Sequence, residues 1–245
     1  WPRSGAVEFV DVKMRYRLGL PLVLKGVHLA VKGGEKVGIV GRTGAGKSTL
    51  VTALLRLVEL DAGEVRIDGV DISQLGLNAL RSVIAVIPQD PVLFSGTVRT
   101  NLDPFGSFTD EVLWDAISRS LLRGAIASLD NVVEENGSNF SVGQRQLLCI
   151  ARAFLSKARV IVMDEATASV DVETDAAIQK MIREEFAQAT CLTVAHRLNT
   201  IMDGDKVLVM DDGVAAEFDT PAALLNQPGS LFKALVDDWE TSNAE

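Results

Sequence analysis

The chain has 245 residues, 47% apolar and 23% charged, and its 33 acidic and 24 basic side chains leave a net charge of −9. That length suffices for one large domain or two small ones with a sizeable core, and the acidic balance argues against a nucleic-acid surface, which is ordinarily basic. No run of 18 apolar residues and no signal-peptide pattern occur, so no segment reads as a bilayer-spanning helix or a secretory leader.

Residues 7–12 (Val-Glu-Phe-Val-Asp-Val) alternate as a strand does, and 14–17 and 22–31 continue in the same style, with His28 read as a strand residue. The chain opens at Trp1 without a methionine, so we expect a piece of something longer. Lys36-Val37-Gly38-Ile39-Val40 reads as a short buried strand. Ser48 to Leu60 predicts a helix from its apolar residues at Leu50, Leu54, Leu57 and Val58, with Gly63 as the stop. Asp68-Gly69 between two apolar runs predicts a hairpin within 64–72, and Arg81 to Ile87 a strand ending at Pro88-Gln89.

From about 90 to 157 the chain is expected to be mostly helical, punctuated by Asp103-Pro104 and Gly106. Arg159 to Met163 has the Val and Ile content of a buried parallel strand. A helix over 172–187, a strand over 191–195 and a hairpin around Asp211-Asp212-Gly213 follow. Thr220-Pro221 and Ser230 open two closing helices, and the acids Asp237, Asp238, Glu240 and Glu245 read as a solvated tail. Cys149 and Cys191 lie in apolar segments and read as reduced core thiols, which suits a cytosolic domain. Strands alternating with helices give an α/β class with a parallel sheet, interrupted by a helical insertion.

The stretch around which the rest is organised is Gly41 to Ser48, G-R-T-G-A-G-K-S. It fits G-x-x-x-x-G-K-[ST], which about one chain in a hundred of this length would match by accident, given average residue usage. The glycines permit positive φ and close backbone approach, so successive N–H groups form an anion nest. Lys47 supplies a point charge to phosphates, Ser48 a hydroxyl to Mg²⁺, and the following helix its positive dipole end. Val160-Ile161-Val162-Met163 then carries Asp164 to the carboxyl end of a buried strand, where a carboxylate can hold Mg²⁺ through water. Glu165 follows, the kind of group that orients or deprotonates an attacking water. Ser141-x-x-Gln144 is a capping box, an ordinary helix start and also an anion site.

With these residues in place, Phe140-Ser141-Val142-Gly143-Gln144 resembles the L-S-G-G-Q signature of the ATP-binding cassette (ABC) ATPases, with valine where the consensus has glycine. Over essentially the whole chain it is similar to that family, and most of all to the second nucleotide-binding domain of subfamily C, the multidrug-resistance-associated type. The carriers are Val40-Gly41-Arg42-Thr43-Gly44, the run Pro88 to Thr97, Asn101-Leu102-Asp103-Pro104-Phe105, and Ser141 to Gln146.

The resemblance implies ATP and Mg²⁺ as ligands. It assigns catalysis to Glu165, His196, Gln89 and Lys47, and the metal to Ser48, Gln89 and Asp164. It assigns the nucleotide to Tyr16, Gly41, Thr43, Gly44, Ala45, Gly46, Lys47, Ser48 and Thr49, with Ser141, Gly143, Gln144 and Asp171 acting across a dimer. It further implies one domain, 1–245, with an α/β P-loop core and parallel-rich sheet over 1–89 and 158–245. An N-terminal antiparallel β subdomain belongs to that core, and 90–157 forms a helical subdomain. The implied partners are a homologous nucleotide-binding domain, first in the same polypeptide, and transmembrane domains, with no nucleic acid. The place is the cytoplasmic side of an integral membrane protein. The implied use is an exporter motor. The alternatives are a nucleotide-sensing module regulating a channel, or a soluble ATPase, which would call for coiled-coil insertions or a basic surface.

Overall fold

This structure, a computed structural model, describes residues 1–164, 172–195 and 201–242. Strands β1 (Val7–Met14), β2 (Leu24–Val31), β4 (Ala62–Ile67) and β5 (Val70–Asp71) form an antiparallel sheet in the order β2-β1-β4-β5. Val7, Phe9, Val12 and Met14 are all buried, although strict alternation would not bring Phe9 and Val12 to one face. A bulge resolves this: Asp11 takes φ +47° and the register shifts between Phe9 and Val12. Gly63 (φ +79°) faces the bulge, where a Cβ would come 2.2 Å from the Asp11 carbonyl oxygen. It therefore permits a close strand approach and stops no helix.

The second sheet has the order β12-β11-β3-β10-β9-β6. Its members are β3 (Lys36–Val40), β6 (Ile84–Ile87), β9 (Val160–Asp164), β10 (Thr190–Val194), β11 (Lys206–Asp211) and β12 (Val214–Asp219). All pairings from β11 to β6 are parallel, and β12 closes the edge antiparallel. Both faces are covered, which is why these strands are apolar runs. Val160 and Val162 pack with the antiparallel sheet and with α1 (Lys47–Leu54). Ile161 and Met163 face the other way, against α5 (Val142–Ser156) and α6 (Val172–Glu185). Val40, Val207 and Val209 are roofed by α7 (Pro221–Asn226) and α8 (Leu231–Ser242) through Leu224, Phe232 and Val236.

Four further local expectations give way. The helix after the P-loop ends at Leu54, because Arg56 turns left-handed (φ +48°) and spends its guanidinium on the Ile72 and Leu75 carbonyls, at 3.2 and 2.8 Å. Arg81 closes the short α2 (Leu77–Arg81), and the strand begins only at Ile84. Between 90 and 157 the helices are α3 (Val98–Leu102), α4 (Asp110–Arg119) and α5, with much of the remainder in turns around a two-stranded pairing of β7 (Gly96–Thr97) and β8 (Val132–Val133). Asp103 builds one of these turns by accepting the Phe108 amide at 2.8 Å. Asp237, Asp238 and Glu240 lie on α8 and are not a tail, while Glu245 lies outside the described residues. Cys149 and Cys191 are buried and unpaired, and burial pushes both thiols up, that of Cys191 to about 11.

Candidate nucleotide site

The site grows from the carboxyl edge of the parallel sheet. Val194 of β10 stands opposite both Ile39 of β3 and Asp164 of β9, and Ile87 of β6 stands opposite Met163. Gly41, Asp164 and Pro88-Gln89 therefore leave the sheet along one edge, the edge at which ligands bind in open α/β sheets.

The P-loop departs from β3 at Gly41, whose φ of +147° and whose 2.2 Å approach of a would-be Cβ to the Met210 carbonyl oxygen admit only glycine. Gly46, in the left-handed region at φ +103°, caps α1. The loop is closed by Ala45 N donating to Arg42 O and by Gly213 N donating to Ala45 O, both at 3.1 Å. Lys47 is 7% exposed and its Nζ donates to the carbonyls of Gly41 (2.7 Å) and Arg42 (3.2 Å). The ammonium is thus held inside the curve of the loop. Thr43, Gly44 and Ser48 are exposed, and a Cβ on Gly44 would meet nothing within 4 Å, so the loop backbone is open to an incoming group.

Tyr16 follows β1 and is 47% exposed, and its hydroxyl lies 3.0 Å from Oγ1 of Thr49, itself 5% exposed on α1. Ser141 caps α5: its Oγ accepts the Gln144 amide at 3.1 Å, and Gln144 Oε1 accepts the Ser141 amide at 2.9 Å. Val142 is the first residue of that helix, so its backbone needs no positive φ, and its side chain is exposed. The side chains of Ser141 and Gln144 spend these hydrogen bonds on the start of α5. Glu165, Asp171 and His196 lie outside the described residues.

One feature of the site's surroundings went unmarked in the sequence. The loop after Ile87 is pinned to α5, with Gln146 Nε2 donating to Pro88 O at 3.1 Å and Arg152 Nη1 to Val92 O at 2.6 Å. The only early signal is an amide beside the apolar run Leu147 to Ile150.

The donor set suits a hard cation: a hydroxyl (Ser48), a carboxylate (Asp164) at the end of β9, separated from β3 by β10, and an exposed amide (Gln89). Among the described residues no three or more His, Cys, Asp or Glu are grouped to hold a metal.

The family model described as ABC transporter matches residues 24–168, more than half of the chain. The chain belongs to the ABC transporter family. It is 54% identical over 245 residues to ABC transporter C family member 5 of Arabidopsis thaliana and 55% identical over 236 residues to ATP-binding cassette sub-family C member 3 of Homo sapiens, matches that cover 98% and 95% of the chain. It spans only 16% of either relative's length. A bacterial Atm1-family ABC exporter solved with ATP bound superposes with a TM-score of 0.90 at 31% identity, covering the whole chain and 43% of that one. This ABC domain is thus an ATP-binding domain of the subfamily C type, with the antiparallel sheet, parallel-rich sheet and helical insertion of an exporter's nucleotide-binding domain.

Proposed function

We propose that this domain binds Mg²⁺-ATP on Gly41 to Thr49 and hydrolyses it to drive an exporter of organic anions or drug conjugates. The observation that carries the reading is the alignment of strand ends that sets the P-loop, Asp164 and Gln89 on one edge. Lys47 exchanges its loop carbonyls for the β- and γ-phosphates, and the loop amides and the start of α1 receive the rest of their charge. Tyr16 stacks on the base. Mg²⁺, when bound, neutralises developing charge on the phosphates, and Ser48, Gln89 and, through water, Asp164 are the residues that hold it. Glu165 orients or deprotonates the attacking water, and His196 contacts the γ-phosphate.

Ser141, Gly143 and Gln144 serve the nucleotide of a homologous partner domain, and Asp171 crosses between the two. The partner is the first nucleotide-binding domain of the same polypeptide, and ATP-driven closure of the pair moves transmembrane domains from the cytoplasmic side. The test is Glu165→Gln, which should bind ATP about as well but turn over at least roughly 100-fold slower, the lower end for general-base loss. Phosphate release near the wild-type rate with the partner present contradicts the assignment. ATP-driven flux of a labelled organic anion through the intact protein checks the exporter reading, and its absence beside normal ATP turnover contradicts it.

A further inference from the structure

Gln146 is a polar side chain in an apolar stretch, 2% exposed, with Nε2 donating to the Pro88 carbonyl oxygen at 3.1 Å. A leucine would fill such a place without desolvating an amide, so its satisfied bond carries specific structural information. Gln146, Cys149 and Arg152 recur at three-residue spacing along α5 and face the loop that follows β6. Cys149 Sγ lies 4.0 Å and Arg152 Nη1 2.6 Å from Val92 O. Arg152 also donates to Asn101, through Nε to its carbonyl (2.7 Å) and through Nη2 to Oδ1 (2.6 Å). Asn101 in turn accepts the Phe94 amide and donates to the Phe94 carbonyl. The loop's other end is fixed in the sheet, where Ile87 pairs with Met163. Gln89, exposed, is the residue directly after the carbonyl that Gln146 holds.

We propose that Gln146 is a positioning residue for hydrolysis: by tying Pro88 to α5 it sets where Gln89 stands at the end of β6, on the sheet edge shared with Asp164 and the P-loop. This rests on the reading of Gln89 as a group that contacts Mg²⁺ and water. With the tie cut, Gln89 meets the metal only part of the time. Hydrolysis and metal use then suffer, while ATP binding by Tyr16 and the P-loop does not.

Gln146→Met keeps the length of the side chain and removes its donor. In the intact protein the expected result is a kcat for ATP lower by about 10- to 100-fold, the range for a misplaced catalytic group, with KM for ATP within about twofold. The Mg²⁺ concentration for half-maximal turnover should rise several-fold by the same loss of placement. In a Gln89→Ala background the change should cost nothing further, since coupled residues are non-additive. An unchanged Mg²⁺ requirement, or the same loss of kcat in both backgrounds, overturns the proposal and makes Gln146 a core amide. A Gln89→Ala protein with normal kcat and Mg²⁺ requirement removes the role of Gln89 itself, and this inference with it. Should Gln146→Met fail to fold, Gln146→Asn, whose amide falls one methylene short of Pro88, is read by the same outcomes.

Discussion

The phenol of Tyr16 is 3.0 Å from the hydroxyl of Thr49, so the ring that follows β1 is tied to the helix that carries Lys47 and Ser48. Two contributions to nucleotide affinity can therefore be separated. An aromatic ring under a base is worth roughly 1–3 kcal/mol, and a neutral hydrogen bond nets about 0.5–1.5 kcal/mol. Tyr16→Ala should weaken ATP by about the first amount. Tyr16→Phe should lose no more than the second, and Tyr16→Trp should bind nearly as the wild type does. Titration calorimetry decides it: equal losses for the alanine and tryptophan variants mean that Tyr16 holds the fold and does not hold the base.

Lys47 is already engaged by the carbonyls of Gly41 and Arg42 before any phosphate arrives. Binding exchanges these for a charged acceptor, and hydrogen bonds to charged groups are worth about 1.5–3 kcal/mol. Lys47→Ala should therefore weaken ATP by at least about tenfold, in contrast to Glu165→Gln, where binding survives. An affinity within twofold of the wild type would remove Lys47 from the phosphates.

Asp68 clasps the first residues of the chain. Its carboxylate accepts the amides of Arg3 (2.6 Å), Ser4 (2.8 Å), Gly5 (3.2 Å) and Ala6 (2.8 Å) and the Ser4 hydroxyl (2.5 Å). Burial alone would raise its pKa, but the hydrogen bonds from Ser4, Ala6 and Gly5 outweigh it and hold the carboxyl well below the usual carboxylate range. A depressed folded pKa contributes stability that is full above the unfolded value of about 3.9 and is lost as pH falls below it. Asp68→Asn should lower the urea midpoint at pH 7, and the gap to the wild type should narrow as the pH drops below about 4. A gap that is the same at both pH values contradicts the clasp.

What was legible in the sequence was local. Gly41 to Ser48 carries its own geometry in its glycines, the Val-Ile run before Asp164 marks a strand buried on both faces, and Thr220-Pro221 caps its helix as expected, with Ala223 N bound to Thr220 Oγ1 at 3.2 Å. The misreadings arose where a distant partner decides. Arg56 ends α1 for carbonyls 16 and 19 residues away, and Gly63 answers a bulge on another strand. Gln146 finds its acceptor 58 residues back, so no periodicity in α5 could mark it out.

We propose that one copy of this domain does not complete its own site, its P-loop and its Ser141 serving two different nucleotides. Ser141→Asp separates this from the capping box, which is also present. Aspartate caps a helix about as well as serine, so the fold and the ATP affinity of the isolated variant should be unchanged. Facing a γ-phosphate, however, its charge would repel. The measurement is ATP-dependent association of wild-type and Ser141→Asp domains with the partner domain by analytical ultracentrifugation. The account predicts a pair for the wild type and none for the folded, ATP-binding variant. A variant that pairs as the wild type does, or one that unfolds, would leave Ser141 with the helix cap alone.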